Sequence, residues 1–355
     1  MRQHRQIYSI QVLRGIAALL VVVHHACNFL NEHSPGSGFD FKIGAIGVDI
    51  FFVISGFIMY CSTLRHSGTL SETLGFWKKR IIRIVPLYWL ITAVVVIGAV
   101  MLPSSTLSAT VNLTSFIKSV LFIPYLSSGG LMQPMVGQGW TLNYEMFFYV
   151  VLGLVLLVSR RCLLIGILAI FAVFQVVAWY VGASSVVLGF YASPLMLEFV
   201  AGVILAMLYQ SGRLPPQWLL NAGIVLGVFA LTLDEGFTVY FTSQWHRVVV
   251  WGVFSLIFVA GFLGNESWWQ GKSPRIATFL GDASYSIYLS HVLAFSILWK
   301  VFARLSMFHN LPAGVLLSAL CLFAALSGSA LYWFVERGLV RVFSGNKPRL
   351  VVQAR

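Results

Sequence analysis

Runs of apolar residues, each long enough to cross a lipid bilayer, recur along the whole chain. A spanning helix needs about 20 mostly apolar residues. On that criterion the sequence predicts ten spanning helices, near 8–30, 43–62, 82–102, 138–159, 162–181, 186–209, 217–234, 246–264, 283–303 and 313–335. The stretch 112–126 is also apolar, but it contains Asn112, Lys118 and Pro124, so we expect an interfacial or partly inserted piece of a long outer loop. The pattern predicts an all-α, polytopic integral membrane protein.

Composition and loop charge support this interpretation. Of the 355 residues, 59% are hydrophobic and only 10% are charged, whereas soluble domains carry about 25% charged residues. The net charge is +12, and the basic residues lie in short, alternate loops, where they indicate membrane orientation and not a nucleic-acid partner. We therefore expect both termini in the cytoplasm, a single transmembrane domain over 1–345, and a short basic cytoplasmic tail over 346–355.

The first thirty residues look superficially like a signal peptide. Arg2 and Arg5 precede the apolar stretch, but Arg14, His24 and His25 interrupt it, and we expect an uncleaved first helix. The four cysteines show no metal-ligand spacing and no evident pairing, so the sequence predicts neither a disulfide framework nor a metal site.

Ionisable residues inside the predicted spans are the main candidates for chemistry, because charges at bilayer depth are costly and usually functional. Arg14 and His25 are eleven positions apart, which places both on one face of the first helix, about 16 Å apart along its axis. An alternative is structural: Arg14 would extend toward the cytoplasmic surface, and His25 would bond a neighbouring carbonyl. His291 lies mid-membrane, where it could line the same cavity.

Two carboxylates are predicted in the outer half of the membrane. Glu145 lies about 10 Å from the outer end of the fourth span, a depth comparable to that of His25. Asp49 lies near the outer end of the second span. A carboxylate beside an imidazole fixes its tautomer and stabilises the imidazolium, as a general base requires. For Glu145 the alternative is a buried ion pair with an arginine.

A basic cluster opens the third span. Arg80 and Arg83 are three residues apart and share a helix face, with Lys79 beside them. Paired guanidinium groups at a membrane boundary are suited to bidentate phosphate binding. The alternative is an ordinary cytoplasmic anchor. In the ninth span, we expect Ser284 and Ser286 to make hydrogen bonds between helices.

Taken together, these segments resemble the acyltransferase family 3 membrane proteins, close to the exopolysaccharide-production type. The resemblance rests on six motifs in order along nearly the whole chain. These are LRGIAA at 13–18 with His25, GVDIFFVISGF at 47–57, RIIRIVPLYW at 80–89, WTLNYE at 140–145, GDASYSIYLSH at 281–291 and LYWFVE at 331–336.

The resemblance implies a membrane-bound O-acyltransferase in the cell inner membrane. It implies transfer of an acyl group, most often acetyl from acetyl-CoA or another acyl-CoA, to a hydroxyl of a surface or exported glycan or a lipid-linked oligosaccharide. It further implies His25 as the catalytic histidine with Arg14 as its companion, and Arg80 and Arg83 near the phosphates of the donor. From these roles we predict a site in which Glu145 or Asp49 orients His25 and Lys79 assists donor binding.

His25 would act either as a base or as a covalent relay. Membrane lipids and a polysaccharide-assembly complex are the remaining expected partners. Two alternatives from other classes stay open, namely a transporter or flippase of a glycan precursor or acyl group, and a scaffold without chemistry of its own. The absence of an evident inverted repeat counts against the transporter.

Overall fold

A computed structural model of the chain describes residues 6–34, 37–101, 112–127, 129–182, 185–233, 244–272, 274–304 and 311–345. These residues are almost entirely helical, and no β-strand occurs among them. Within the described part, nine helices are long and apolar enough to cross a membrane by length and composition. The prediction of an all-α, polytopic membrane protein is therefore confirmed.

The helices are numbered here in chain order. They are α1 (Tyr8–His33), α2 (Gly47–Ser62), α3 (Leu70–Met101), α4 (Leu113–Val120), α5 (Trp140–Val158), α6 (Leu163–Val181), α7 (Val186–Tyr191), α8 (Met196–Gln210), α9 (Gln217–Leu233), α10 (Gln244–Gly264), α11 (Glu266–Lys272), α12 (Arg275–Arg304) and α13 (Ala313–Ser344). Two of them contain a π-helical turn, at Val248–Gly252 in α10 and at Tyr332–Glu336 in α13.

Nine of the ten predicted spans coincide with the nine long helices, where the second is counted from Lys42 to Ser62 and the sixth, which contains α7 and α8, from Val186 to Gln210. The remaining predicted span, 217–234, coincides with α9, an apolar helix of 17 residues that is slightly shorter than the nine. The stretch predicted to be interfacial contains α4, a helix of eight residues. Several segments that carry these predictions lie outside the described residues. They are Arg2 and Arg5, the loop 305–310 that follows the ninth span, and the tail 346–355. The orientation of the termini and the single domain over 1–345 stay predictions.

Some helices extend well beyond the apolar runs that predicted them. The third span was predicted from residue 82, whereas α3 begins at Leu70 and passes through Pro86 without interruption. Its first turn is capped by Thr69, whose hydroxyl accepts from the Glu72 backbone N–H (3.3 Å) and donates to the Glu72 carboxylate (3.1 Å). Hydropathy marks the part of a helix that suits lipid, while caps determine where the helix starts.

The described helices belong to two compact units. Among the described residues, the first unit comprises those within 6–54 and 208–338, and the second comprises those within 55–207 and 339–345. The first unit therefore holds α1, the start of α2 and α9 to most of α13. The second holds the rest of α2, α3 to α7 and most of α8.

Glycines allow α1 and α12 to pack closely in the first unit. A Cβ atom on Gly281 would lie 1.9 Å from the backbone oxygen of Gln11, and one on Gly15 would lie 3.1 Å from the backbone nitrogen of Gly281. Close backbone approach at small residues is a common way for helices to associate in lipid, where the hydrophobic effect contributes little. Small and branched residues of α1, α12 and α13 form the core around this contact.

Aromatic side chains contribute strongly to the packing of the second unit. Tyr144 of α5 stacks on Phe190 of α7 with ring centroids 4.0 Å apart, and Phe148 stacks on Phe199 of α8 at 4.8 Å. A Cβ on Gly56 would lie 1.9 Å from the Phe199 carbonyl oxygen, so α2 and α8 are in backbone contact. These contacts hold α2, α5 and α8 in a defined arrangement around the polar groups described below.

Candidate functional site

The histidine predicted to be catalytic lies in a cluster of three imidazoles in the first unit. The His25 ring is 4.9 Å from the His291 ring of α12 and 5.1 Å from the His24 ring, measured between centroids. His291 is fully buried, and His25 is half-buried. The structure thus brings His291 beside His25.

The arrangement follows from the helix contact already described. His25 follows Gly15 by ten residues on α1, and His291 follows Gly281 by ten residues on α12. Ten residues advance a helix by about 15 Å. Because both glycines and both histidines are in contact, the two helices run in parallel, and the glycine contact sets the register that pairs the histidines.

Backbone carbonyl groups determine the tautomer of each ring. The Nδ1 atoms of His24, His25 and His291 lie 3.0, 3.0 and 2.6 Å from the carbonyl oxygens of Phe41, Val21 and Tyr288. A carbonyl oxygen can only accept, so each Nδ1 carries the proton, and each neutral ring has its lone pair on Nε2. Nε2 is the atom that a general base would use.

The three Nε2 atoms differ in their surroundings. In His24 the Asn28 side-chain amide lies 3.1 Å from Nε2, which gives that atom a partner. In His291 the Nε2 atom is buried and has no hydrogen-bond partner among the described residues. Among the described residues, no three His, Cys, Asp or Glu side chains are grouped as ligands for a metal ion.

Arg14, predicted as the companion of His25, is buried near the opposite end of α1. Its Nη2 donates to the Ser284 hydroxyl (3.0 Å), and its Nη1 lies 3.4 Å from the Gln11 side-chain oxygen. The Gln11 amide in turn donates to Asp282 (3.0 Å). A polar chain therefore links α1 to α12 at the glycine contact, and Ser284 makes the interhelical hydrogen bond that the sequence predicted.

Asp49, one of the two carboxylates predicted beside His25, has Arg247 of α10 as its partner. Arg247 donates through Nε to one carboxylate oxygen (2.7 Å) and through Nη2 to the other (2.8 Å). Asp49 is fully buried, and Arg247 is 9% exposed. This is a bidentate ion pair, the arrangement that the sequence offers as an alternative for Glu145. The predicted role of Asp49 in orienting His25 stays a prediction.

Glu145 anchors a second polar cluster, which lies within the second unit. Its Oε1 accepts hydrogen bonds from the Ser55 hydroxyl (3.2 Å) and from the Tyr149 hydroxyl. The charges of Glu145 and Arg80 lie close enough to interact. Glu145 and His25 belong to different units, so the prediction that this carboxylate orients His25 stays a prediction.

The basic pair of α3 belongs to this same cluster. The Nε atom of Arg80 and an Nη atom of Arg83 are buried without a hydrogen-bond partner among the described residues, although Arg80 also lies over the Phe76 ring at 5.5 Å. Lys79, by contrast, is exposed. The two arginines therefore present unsatisfied N–H groups, which a bound anion could accept.

The structure reveals one partner of which the sequence gives no sign. Arg247 lies in the first turn of α10, and no signal in the sequence pairs it with Asp49. For His291 the sequence predicts only that it could line the same cavity as His25. A signal for His291 did exist, because the separation from Gly15 to His25 recurs from Gly281 to His291.

The chain is similar to known proteins over most of its length. Residues 7–333 match a family described as an acyltransferase domain. The chain is 36% identical over 316 residues to the exopolysaccharide production protein ExoZ of Rhizobium meliloti, covering 86% of this chain and 92% of that protein. It is 28% identical to nodulation protein 10 of Rhizobium leguminosarum bv. viciae, over 80% and 82% of the two chains.

A longer relative matches over part of its length. The putative peptidoglycan O-acetyltransferase YrhL of Bacillus subtilis is 28% identical over 82% of this chain and 49% of its own. No solved structure matches the chain at a significant level.

Proposed function

Since this chain belongs to the acyltransferase family 3 of membrane proteins, we propose that this O-acyltransferase moves an acetyl or similar acyl group from acyl-CoA to a glycan hydroxyl. His25 is the base in this proposal. The observation that carries it is the anchored His25 ring, whose Nδ1 donates to the Val21 carbonyl and leaves the lone pair on Nε2. A base held in the required tautomer loses no free energy in reorienting when the substrate arrives.

The proposed reaction needs only the acyl-CoA, the sugar hydroxyl and His25. Nε2 of His25 takes the proton of the sugar hydroxyl while the hydroxyl oxygen attacks the thioester carbonyl carbon. The carbon–sulfur bond then breaks, and the proton passes to the departing CoA thiolate. The products are an ester on the glycan and free CoA, and His25 returns to its starting state.

Arg80 and Arg83 bind the phosphates of the donor in this proposal. Both place a buried guanidinium nitrogen without a partner in the second unit, and an unsatisfied buried donor costs about 1–3 kcal/mol. Phosphate oxygens would satisfy these donors. Lys79 is exposed on the same helix and adds favourable charge without a shaped contact.

The acceptor is proposed from the relatives. One of them is named for exopolysaccharide production and another as a putative peptidoglycan O-acetyltransferase. We therefore place a surface or exported glycan, free or lipid-linked, as the acceptor. The multi-pass chain would act in the cell inner membrane, within a polysaccharide-assembly complex, with both termini in the cytoplasm.

The test is mass spectrometry of surface polysaccharide from a strain that lacks the gene and carries either the wild type or the His25→Gln variant. Ester-linked acyl groups should return with the wild type and not with His25→Gln. His33→Gln is the matched control, because His33 is an exposed histidine of the same helix whose Nδ1 also pairs with a backbone carbonyl (2.9 Å). If His25→Gln reaches the membrane and restores acylation, the proposal is wrong. Loss of polysaccharide with unaltered acylation would favour a transporter or scaffold.

A further inference from the structure

His291 is the one buried imidazole of the three-histidine cluster whose acceptor atom is unused among the described residues. It is fully buried, its ring is 4.9 Å from that of His25, and its neighbour Phe295 borders it at 5.6 Å. The Nδ1 atom donates to Tyr288, which commits the ring to a lone pair on Nε2. That Nε2 has no hydrogen-bond partner within the described residues.

An isolated acceptor in this position is unusual. Most buried polar side-chain atoms have a partner, and each exception calls for a reason. A structural role would need only the Nδ1 hydrogen bond and the packing against Phe295. Neither of these uses the Nε2 atom, and a phenyl or aliphatic side chain would provide the packing equally well. His24 shows the ordinary case, because both of its ring nitrogens have partners.

His25 does not supply the missing partner. Its Nδ1 proton is directed to Val21, and its own Nε2 carries a lone pair, so neither nitrogen of this adjacent ring donates to His291. A ligand that enters beside His25 can supply the missing hydrogen. The hydroxyl that His25 deprotonates has only one hydrogen to give, so His291 needs a second N–H or O–H group.

We propose that Nε2 of His291 accepts a hydrogen bond from an N–H or O–H group of the substrate bound beside His25 and so holds that substrate in place for transfer. The inference rests on the proposed function. Two sources carry this chemistry: the amide N–H groups in the pantetheine arm of an acyl-CoA, and a second hydroxyl of the acceptor sugar. His291 is a substrate-contacting residue in either case.

The decisive comparison is between His291→Gln and His291→Met in purified protein, with initial rates of CoA release measured against acetyl-CoA and against acceptor oligosaccharide. The two replacement side chains have the same length, and both lose the Nδ1 bond to Tyr288. Only glutamine can place an acceptor near the former Nε2. We expect Met to raise KM for one substrate on the order of tenfold, and Gln to stay within about threefold of wild type.

The substrate whose KM rises identifies the source of the hydrogen: acetyl-CoA indicates the pantetheine arm, and oligosaccharide indicates the sugar. Equal KM values for the Gln and Met variants toward both substrates would overturn the proposal. If neither variant is monodisperse in detergent, His291→Asn takes their place. Asparagine keeps a donor for the Tyr288 carbonyl but does not reach the Nε2 position, so a wild-type KM for both substrates would overturn the proposal equally.

Failure of the proposed function is distinguishable from failure of this inference. The His33→Asn variant is the control, since His33 is exposed and its ring is bonded to a backbone carbonyl in the same way. If wild type and the His33 control release no CoA at all, the proposed function is wrong. If they are active and His291→Met has the same constants as they have, only the role of His291 is wrong.

Discussion

The ion pair between Asp49 and Arg247 allows a quantitative test of what holds the first unit together. Both side chains are buried, and two charge-assisted hydrogen bonds of 2.7 and 2.8 Å join them. Removing one partner of a buried pair leaves an uncompensated charge, which costs about 3–5 kcal/mol. We therefore expect Asp49→Asn and Arg247→Met each to lower the free energy of unfolding by about that amount.

The double variant separates this pair from the contacts that each residue makes elsewhere. Removing both charges together should cost less than the sum of the single changes by about 2 kcal/mol or more, because no charge is left unpaired. The assay is unfolding in mixed detergent micelles, with SDS as denaturant and circular dichroism as the signal. The four proteins of the cycle are compared in the same micelles.

An exposed ion pair of the same unit is the matched control. Lys42 and Asp40 are 3.1 Å apart, with side chains 50% and 58% exposed. Exposed pairs contribute about 0–1 kcal/mol, so Asp40→Asn should change stability little. Additive effects of the Asp49 and Arg247 substitutions, within about 0.5 kcal/mol, would refute the view that the two charges stabilise each other.

Two further substitutions test the helix contact and the donor site. Gly281→Ala places a Cβ 1.9 Å from a backbone oxygen where an ordinary contact needs at least 3.4 Å, so α1 and α12 must separate. We expect a loss of about 1–3 kcal/mol in the same assay, while Gly75→Ala, which meets nothing within 4 Å, should be neutral or stabilising. Arg83→Gln should raise KM for acetyl-CoA about tenfold or more, as expected for a lost hydrogen bond to a charged group. Lys79→Gln changes an exposed side chain and should change KM for acetyl-CoA much less. Equal effects of Arg83→Gln and Lys79→Gln on KM would contradict specific phosphate binding by the buried arginines.

Much of the architecture could be read from hydropathy, because a lipid-exposed helix must be apolar over a definite length. From that single requirement, the apolar parts of the nine long helices were located to within a few residues at most of their ends. It could not locate the start of α3 at Leu70, because the Thr69 cap, which lies outside the apolar run, determines that end. It also located the shorter apolar helix α9, at Gln217–Leu233.

Within one helix, the sequence by itself was sufficient to relate side chains. The spacing of Arg14 and His25, and that of Arg80 and Arg83, follow from the fixed rotation per residue of an α-helix. The sequence could therefore nominate which polar groups share a face. The acyltransferase motifs, spread in order along the chain, determined the family without any structural information.

Which groups meet across helices was decided only by the tertiary structure. Arg247 pairs with Asp49 across 198 positions of sequence, and His291 lies beside His25. These partners depend on which helices are neighbours and on the register between them, and that register is set by the backbone contact between α1 and Gly281. Apolar periodicity carries no information on either point, because lipid and a neighbouring helix are equally favourable surroundings for an apolar face.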